Sequence, residues 1–164
     1  PQHHSSAASD VYKRQDYLKS NNETICFAES CTGGNLSSSI SKIPGASKIF
    51  IGSIVSYTRY SKKNILQISE SELDNYSTVS QEITVKMAES VKEKFNTDYS
   101  IAITGNAGPS VDSPETNLGD CFIAILSNNE IFCQKFHFNY NREDFIIEAT
   151  KSSFQLFFDK IIKQ

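Results

Sequence analysis

The sequence predicts an α/β fold, a three-layer α/β/α sandwich around a mixed, mostly parallel sheet. Three observations predict it. Apolar strand-like runs alternate with segments of helical period. The turn Ser127-Asn128-Asn129-Glu130 joins two strand-like runs as a hairpin, which makes the sheet mixed rather than purely parallel. Two glycine-containing turns also follow strands directly, at the end of the sheet where open α/β folds bind ligands.

Taken in order, Asp16-Tyr17-Leu18-Lys19 reads as the stub of a first helix. A strand over 24–28 leads through a glycine turn into a helix over 33–43, then a strand over 49–56 and a short helix or turn near 60–67. Ser80 caps a longer helix over 80–95, with Ile83, Met87, Val91 and Phe95 on one stripe. Strands follow at 99–104, 119–126 and 131–138. An amphipathic helix over about 142–162, with Ile146, Ala149, Phe154, Phe157 and Ile161 inward, closes the chain. Between the strands at 99–104 and 119–126, Gly105 to Leu118 has neither helical nor strand pattern. Structureless connections of that length are uncommon in small domains and are often functional.

The 164 residues fit one domain with a real core. Pro1–Gln15 is polar and unpatterned and reads as a non-native tail, leaving 16–164 as the domain. The formal net charge of −3, with acids and bases interspersed, gives no case for nucleic acid. No apolar run is long enough for a membrane span. The four cysteines lack C-x-x-C spacing, and Cys26, Cys121 and Cys133 sit in strand-like runs as buried thiols would. A reducing cytoplasm is the natural compartment. No metal site or cofactor is expected, because His and Cys show none of the recognised ligand spacings. Outside the tail the single histidine is His137, read as a strand-surface residue.

The candidate chemistry starts at Ala28-Glu29-Ser30-Cys31-Thr32-Gly33-Gly34. A strand breaking into hydroxyl residues and two glycines before a helix exposes a side chain and brings backbone N–H groups close to it. Ser30 is thereby placed like a nucleophile, with a plain helix cap as the bland alternative. Cys31 is the rival nucleophile. With no histidine nearby, the base must be another group. Lys62, which follows Tyr57 at a strand end, serves if burial lowers its proton affinity. Its alternative is a solvated lysine beside Lys63. Ser39-Ile40-Ser41-Lys42 also fits S-x-x-K but reads as helix surface, since its companion motifs are missing.

Together with Pro44-Gly45-Ala46-Ser47, Val79-Ser80…Met87-Ala88-Glu89, Thr104-Gly105-x-Ala107-Gly108-Pro109 and Arg142, these segments resemble the C-terminal domain of competence/damage-inducible protein A (CinA) over about 16–162. Stand-alone members of that family are nicotinamide-nucleotide amidases with a three-layer α/β/α fold. The resemblance implies a single-domain form that deamidates nicotinamide mononucleotide to nicotinate mononucleotide and ammonia in pyridine-nucleotide recycling. It implies Ser30 as nucleophile, Lys62 as base and Tyr57 as a third polar member. Glu29, Cys31, Thr32, Gly33 and Gly34, together with Thr104, Gly105, Asn106, Ala107, Gly108 and Arg142, are the implied substrate-binding residues. The one partner expected is the small-molecule substrate, with a homo-oligomer left open.

This chain departs from the family pattern at Asn106, where an apolar residue is usual, and at Ser110-Val111-Asp112-Ser113-Pro114 and Thr116-Asn117-Leu118-Gly119-Asp120, which replace a glycine-rich stretch and a Lys-Pro-Val-Gly-Thr-like run. Two alternatives follow from that: a nucleotide-binding module that keeps the pocket without turnover, and an amidase of different specificity.

Overall fold

Residues 25–29 form a strand because every one of them is buried and each face packs against a different layer of helices. Ile25 and Phe27 point to one core cluster, and Cys26 and Ala28 to the other. The same period of two recurs at Ile101/Ile103 against Ala102 and at Ile123/Ile125 against Ala124. One face therefore carries bulky branched side chains and the other mostly small ones.

The computed structural model describes Lys13 and residues 15–163. The expected tail lies outside these residues apart from Lys13 and Gln15, which belong to a helix reaching residue 21 (α1, residues 15–21). The order is then β1 (Ile25–Glu29), α2 (Asn35–Ser41), a 3-10 turn (Ala46–Lys48), β2 (Phe50–Val55), α3 (Arg59–Asn64), α4 (Glu70–Tyr76) and α5 (Gln81–Phe95). After these come β3 (Tyr99–Gly105), β4 (Asp120–Leu126), β5 (Ile131–His137) and α6 (Arg142–Phe157), which ends in a π-helical turn (Phe158–Ile162).

The sheet order is β2-β1-β3-β4-β5. β1 pairs in parallel with β2 and β3, whereas β3–β4 and β4–β5 are antiparallel. The sheet is thus mixed as expected, with its pairings evenly divided. The physical reason is the patternless stretch after β3: without a crossover helix it returns directly, and a direct return gives an antiparallel neighbour. Leu18, Leu36, Phe145, Phe154 and Phe157 cover the bulky face. Leu73, Ile83, Met87 and Val91 cover the small-residue face, where Ser100 Oγ donates to the Ala88 carbonyl at 2.8 Å, so α5 sits close to the strands.

Several elements match their sequence signals. The Ser80 side chain caps α5 by accepting from the Ile83 N–H at 3.2 Å. The hairpin closes with Ser127 N–H to the Glu130 carbonyl at 3.0 Å. α4 was not among the expected helices, although Ser69 and Glu72 form a complete capping box ahead of it. The helix expected over 33–43 begins only at Asn35, because Gly33 and Gly34 have φ of +59° and +107°. Among the described residues no helix is long and apolar enough to cross a membrane.

The register brings the functional segments level. Glu29 lies beside Val55 on one side and Ile103 on the other, and Gly105 beside Cys121. The residues after β1, β2 and β3 and those before β4 therefore share one edge of the sheet. The loop from β3 to β4 is closed at its base by Asn106 N–H to the Asp120 carbonyl at 2.8 Å and Gly119 N–H to the Asn106 carbonyl at 2.9 Å. Gly119 has φ +90°, and a Cβ built there would sit 2.5 Å from the Phe138 carbonyl oxygen. Gly119→Ala is therefore expected to destabilise the fold by about 2–4 kcal/mol. A denaturant midpoint equal to the wild type's would refute this account of the loop base.

Candidate active site

The turn after β1 is shaped by the residue before it. Glu29 has no exposed surface, and its carboxylate accepts four hydrogen bonds. Oε1 takes the Thr32 hydroxyl at 2.8 Å and the Leu36 N–H at 2.8 Å. Oε2 takes the Ser37 N–H at 3.0 Å and its hydroxyl at 2.5 Å. The first N–H groups of α2 are thus satisfied by a carboxylate from the preceding strand, where negative charge is favoured. Gly34 occupies the cap position with no side-chain bond, so Ser30 is not a helix cap.

Ser30 is left free for another role. Its backbone is fixed by Ser30 N–H to the Ile103 carbonyl and by the Gly33 N–H on its own carbonyl. Its hydroxyl meets Lys62 Nζ at 2.8 Å. The N–H groups of Cys31, Thr32 and Gly34, next in the chain, have no hydrogen-bond partner among the described residues.

Lys62 arrives from the other side of β1. Thr58 caps the short α3 by accepting from the Ser61 N–H at 3.3 Å, and the helix turns Lys62 inward until its side chain is 1% exposed. Nζ donates to the Ser56 carbonyl at 2.9 Å and lies 3.5 Å from the Tyr57 carbonyl. Ser56 is itself held by its N–H on the Glu29 carbonyl at 2.7 Å and by its hydroxyl on Ser61 at 2.7 Å. Burial pushes the ammonium down to about 8, with Cys31 and then Asp112 acting in the opposite direction.

The family model of the CinA C-terminal domain matches residues 8–161. This chain belongs to the CinA C-terminal domain family. A CinA-like protein of Flavobacterium psychrophilum is 40% identical over 140 residues, covering 85% of this chain and 34% of that protein. A CinA-like protein of Prochlorococcus marinus strain MIT 9312 is 47% identical over 133 residues, covering 80% of this chain and 31% of that protein. The chain thus spans about a third of the length of these curated relatives. Among solved structures, a competence-damaged protein (CinA) superfamily protein from Enterobacter cloacae superposes with a TM-score of 0.91 at 25% identity, covering 98% of this chain and 95% of that one.

Within this CinA domain the expected site residues fall into two groups. Ser30, Lys62, Gly33, Gly34, Gly105, Ala107, Gly108, Tyr57 and Arg142 lie along the shared sheet edge or reach it. The Tyr57 side chain, however, turns outward: it is 51% exposed, and its hydroxyl accepts from Arg142, which also donates to the Gly108 carbonyl. Only the backbone of Tyr57 approaches Lys62. Glu29, Thr32, Thr104 and Asn106 have side chains committed inward. Thr32 donates to Glu29, and Thr104 donates to the Thr78 carbonyl at 3.0 Å. The Asn106 amide bonds Thr116 and the Asn117 carbonyl at 2.9 and 3.1 Å. These four side chains hold the turns and loop around them. Cys31 is a free thiol in the core cluster that also holds Cys121, whose thiol burial pushes well up.

His137 Nδ1 pairs with Asp120 Oδ1 at 2.9 Å on β5, three strands across the sheet from β1. Ser39 donates to the Asn35 carbonyl within α2, and Lys42 is exposed. No group of His, Cys, Asp and Glu able to hold a metal occurs among the described residues. Two surface depressions of about 630 and 580 Å³ lie at the opposite end of the sheet, around the Ser127–Glu130 turn. Sequence reasoning missed the scaffolding role of Glu29, the Ser56 carbonyl, and the bond from Thr78 to Asp112. The bonds from Thr78 to Asp112 and from Tyr57 to Arg142 join residues 34 and 85 positions apart, beyond the reach of any local pattern.

Two outcomes follow. Glu29→Gln presents an amide N–H₂ to donors and is expected to destabilise the domain by about 2–3 kcal/mol in urea unfolding. A loss below a few tenths of a kcal/mol would mean that the carboxylate does not organise the turn. The second concerns Lys62, whose ordinary value is 10.5 against about 8 in the fold. Between these values the unfolded chain binds the extra proton, so stability rises with pH there, and below about pH 8 the penalty is constant. Relative to Lys62→Met, the wild type is expected to gain about 3 kcal/mol from pH 8 to 10.5. A stability difference that stays flat across that window would contradict it.

Proposed function

We propose that this domain is an amidohydrolase that deamidates nicotinamide mononucleotide by a Ser30–Lys62 mechanism. The observation that carries the reading is a buried lysine, 2.8 Å from a serine hydroxyl, with no carboxylate paired to it among the described ion pairs. With a value of about 8, roughly a tenth of Lys62 is neutral at pH 7. In that form two N–H bonds face the Ser56 and Tyr57 carbonyls, leaving the lone pair for the Ser30 proton.

The reaction then balances without a further group. Ser30 Oγ bonds to the carboxamide carbon as its proton passes to Lys62 Nζ. The pyridinium ring of the substrate draws electrons from that carbon, and the unpartnered N–H groups of Cys31 and Thr32 are the donors available to the oxyanion. When the C–N bond breaks, Lys62 returns the proton to the departing nitrogen, which leaves as ammonia. Water, deprotonated by Lys62, attacks the resulting ester. The acid is released as the proton goes back to Ser30 Oγ. The Arg142–Tyr57–Gly108 contact ties α6 and the β3–β4 loop to the end of β2 and forms a rim over the pair. Membership of the CinA C-terminal domain family supports the amidase reading.

Ammonia release from nicotinamide, its riboside and its mononucleotide, compared side by side, tests this reading. The mononucleotide is expected to be preferred. Ser30→Ala and Lys62→Arg are expected to lower kcat/KM at least about a hundredfold with folding intact, because a guanidinium does not deprotonate. Cys31→Ala is expected to keep turning over. In the wild type kcat/KM should rise with pH and level off above about 8. Near-normal turnover in Lys62→Arg would rule out lysine as the base.

A further inference from the structure

One side chain ties the arms of the β3–β4 loop together. Asn106 is 4% exposed and directs its amide into the loop. Its side-chain N–H₂ donates to Thr116 Oγ1 at 2.9 Å and to the Asn117 carbonyl at 3.1 Å. Its Oδ1 accepts the Asp112 N–H at 3.2 Å. Both donors and the acceptor of one amide are therefore in use, joining residues 6, 10 and 11 positions away. The backbone of the same residue makes the two bonds to Asp120 and Gly119 that close the base.

These ties lead to the site through direct contacts. Leu118 follows Asn117, and a Cβ built on Gly108 would lie 2.6 Å from Leu118 Cδ1, so the returning arm of the loop lies against Gly108. The Gly108 carbonyl accepts from Arg142, which also donates to the Tyr57 hydroxyl. The Tyr57 carbonyl in turn lies 3.5 Å from Lys62 Nζ. On the strand side, Ile103 lies three residues before Asn106 and accepts the Ser30 N–H at 3.1 Å. Gly108 is thus held from two sides, by Leu118 within the loop and by Arg142 from α6.

We infer that Asn106 is a positioning residue for substrate binding: by tying Asp112, Thr116 and Asn117 together it holds Gly108 in place for Arg142 and keeps the rim of the site in its binding conformation. The inference rests on the amidase reading of that site. Without the amide the base of the loop stays closed, since its bonds belong to the main chain, but the arms lose their cross-ties. The rim is then in place in only a fraction of the molecules, and apparent affinity falls by that fraction. Bound substrate selects the ordered form, so the step at Ser30 and Lys62 is unaffected once the site is full. Asn106 therefore acts on KM and leaves kcat.

The test compares turnover of nicotinamide mononucleotide, per correctly folded enzyme, in the wild type, in Asn106→Leu and in Val111→Ser. Leucine keeps the bulk of Asn106 and removes its side-chain bonds, whereas Val111 is an exposed residue of the same loop outside them. Asn106→Leu is expected to raise KM about tenfold, as for a rim in place in about a tenth of the molecules, with kcat within about twofold. Val111→Ser should match the wild type. The Arg142 side-chain NMR signal, assigned by its absence in Arg142→Lys, should shift or broaden in Asn106→Leu and stay in place in Val111→Ser. An unchanged KM in Asn106→Leu overturns the inference, and so does an equal rise of KM in Val111→Ser. A loss that falls on kcat as much as on KM also overturns it, because that marks a damaged fold rather than a displaced rim. If the wild type releases no ammonia, the amidase reading falls and the Arg142 signal decides the rest: a shift upholds the link from Asn106 to the rim. An unmoved signal overturns the inference in either case. Asn106→Asp, which keeps the acceptor for Asp112 and loses both donors, gives the same comparison should the leucine variant unfold.

Discussion

A lysine that is 1% exposed needs its ammonium either paired or abandoned, and among the described residues its hydrogen-bond partners are two backbone carbonyls and a serine hydroxyl. Much of the edge of the sheet is arranged around that constraint. The Ser56 carbonyl faces Lys62 because the Ser56 N–H continues the pairing of β2 with β1 onto the Glu29 carbonyl. Ser30 faces it because the turn after β1 is fixed through the Glu29 carboxylate. One residue thus serves both partners, through its main chain toward the base and through its side chain toward the nucleophile. Replacing three neutral contacts by a carboxylate would favour the charged amine and remove its use as a proton acceptor.

The two faces of the sheet contribute unequally to this arrangement. Beneath α5, Cys26, Ala28, Ala102 and Ala124 present little bulk, so that helix lies close to the strands. Beneath α6, Phe27, Ile101, Ile103 and Ile123 form a thick layer joined by edge-to-face and stacked rings such as Phe27 with Phe154 and Phe50. α6 stands off on this layer and begins with Arg142, at the level where the loop and Tyr57 can be reached. The aromatic layer thereby fixes the height of the rim.

What could be read from the sequence follows the distance over which each interaction acts. Alternating apolar runs, the Ser80 cap and the hairpin turn are local, and the corresponding strands and helices lie within a few residues of expectation. The Ser30 turn and Lys62 were legible as a pair from residue type and spacing, with the family resemblance supplying their roles. α4 was legible in principle, since Ser69-x-x-Glu72 is a capping signal ahead of Leu73, but its short apolar face gives a weak period. The inward turn of Glu29, Thr104 and Asn106 was not legible, because a polar side chain in a motif looks the same whether it meets a ligand or holds the turn.

The β3–β4 loop begins and ends on the same hydrogen-bonded rung, with Asn106 and Asp120 bound to each other across its base. The rung fixes the pairing of β3 with β4 below the loop. Residues in its middle can be exchanged, or their number changed, without sliding β3 against β4, because the register is set below the rung. Loop closure entropy changes slowly with length. Evolution can therefore vary this segment at low thermodynamic cost while Ser30 and Lys62, on separate turns, keep their spacing. The composition of this chain between Ser110 and Asp120 is one sample of that freedom.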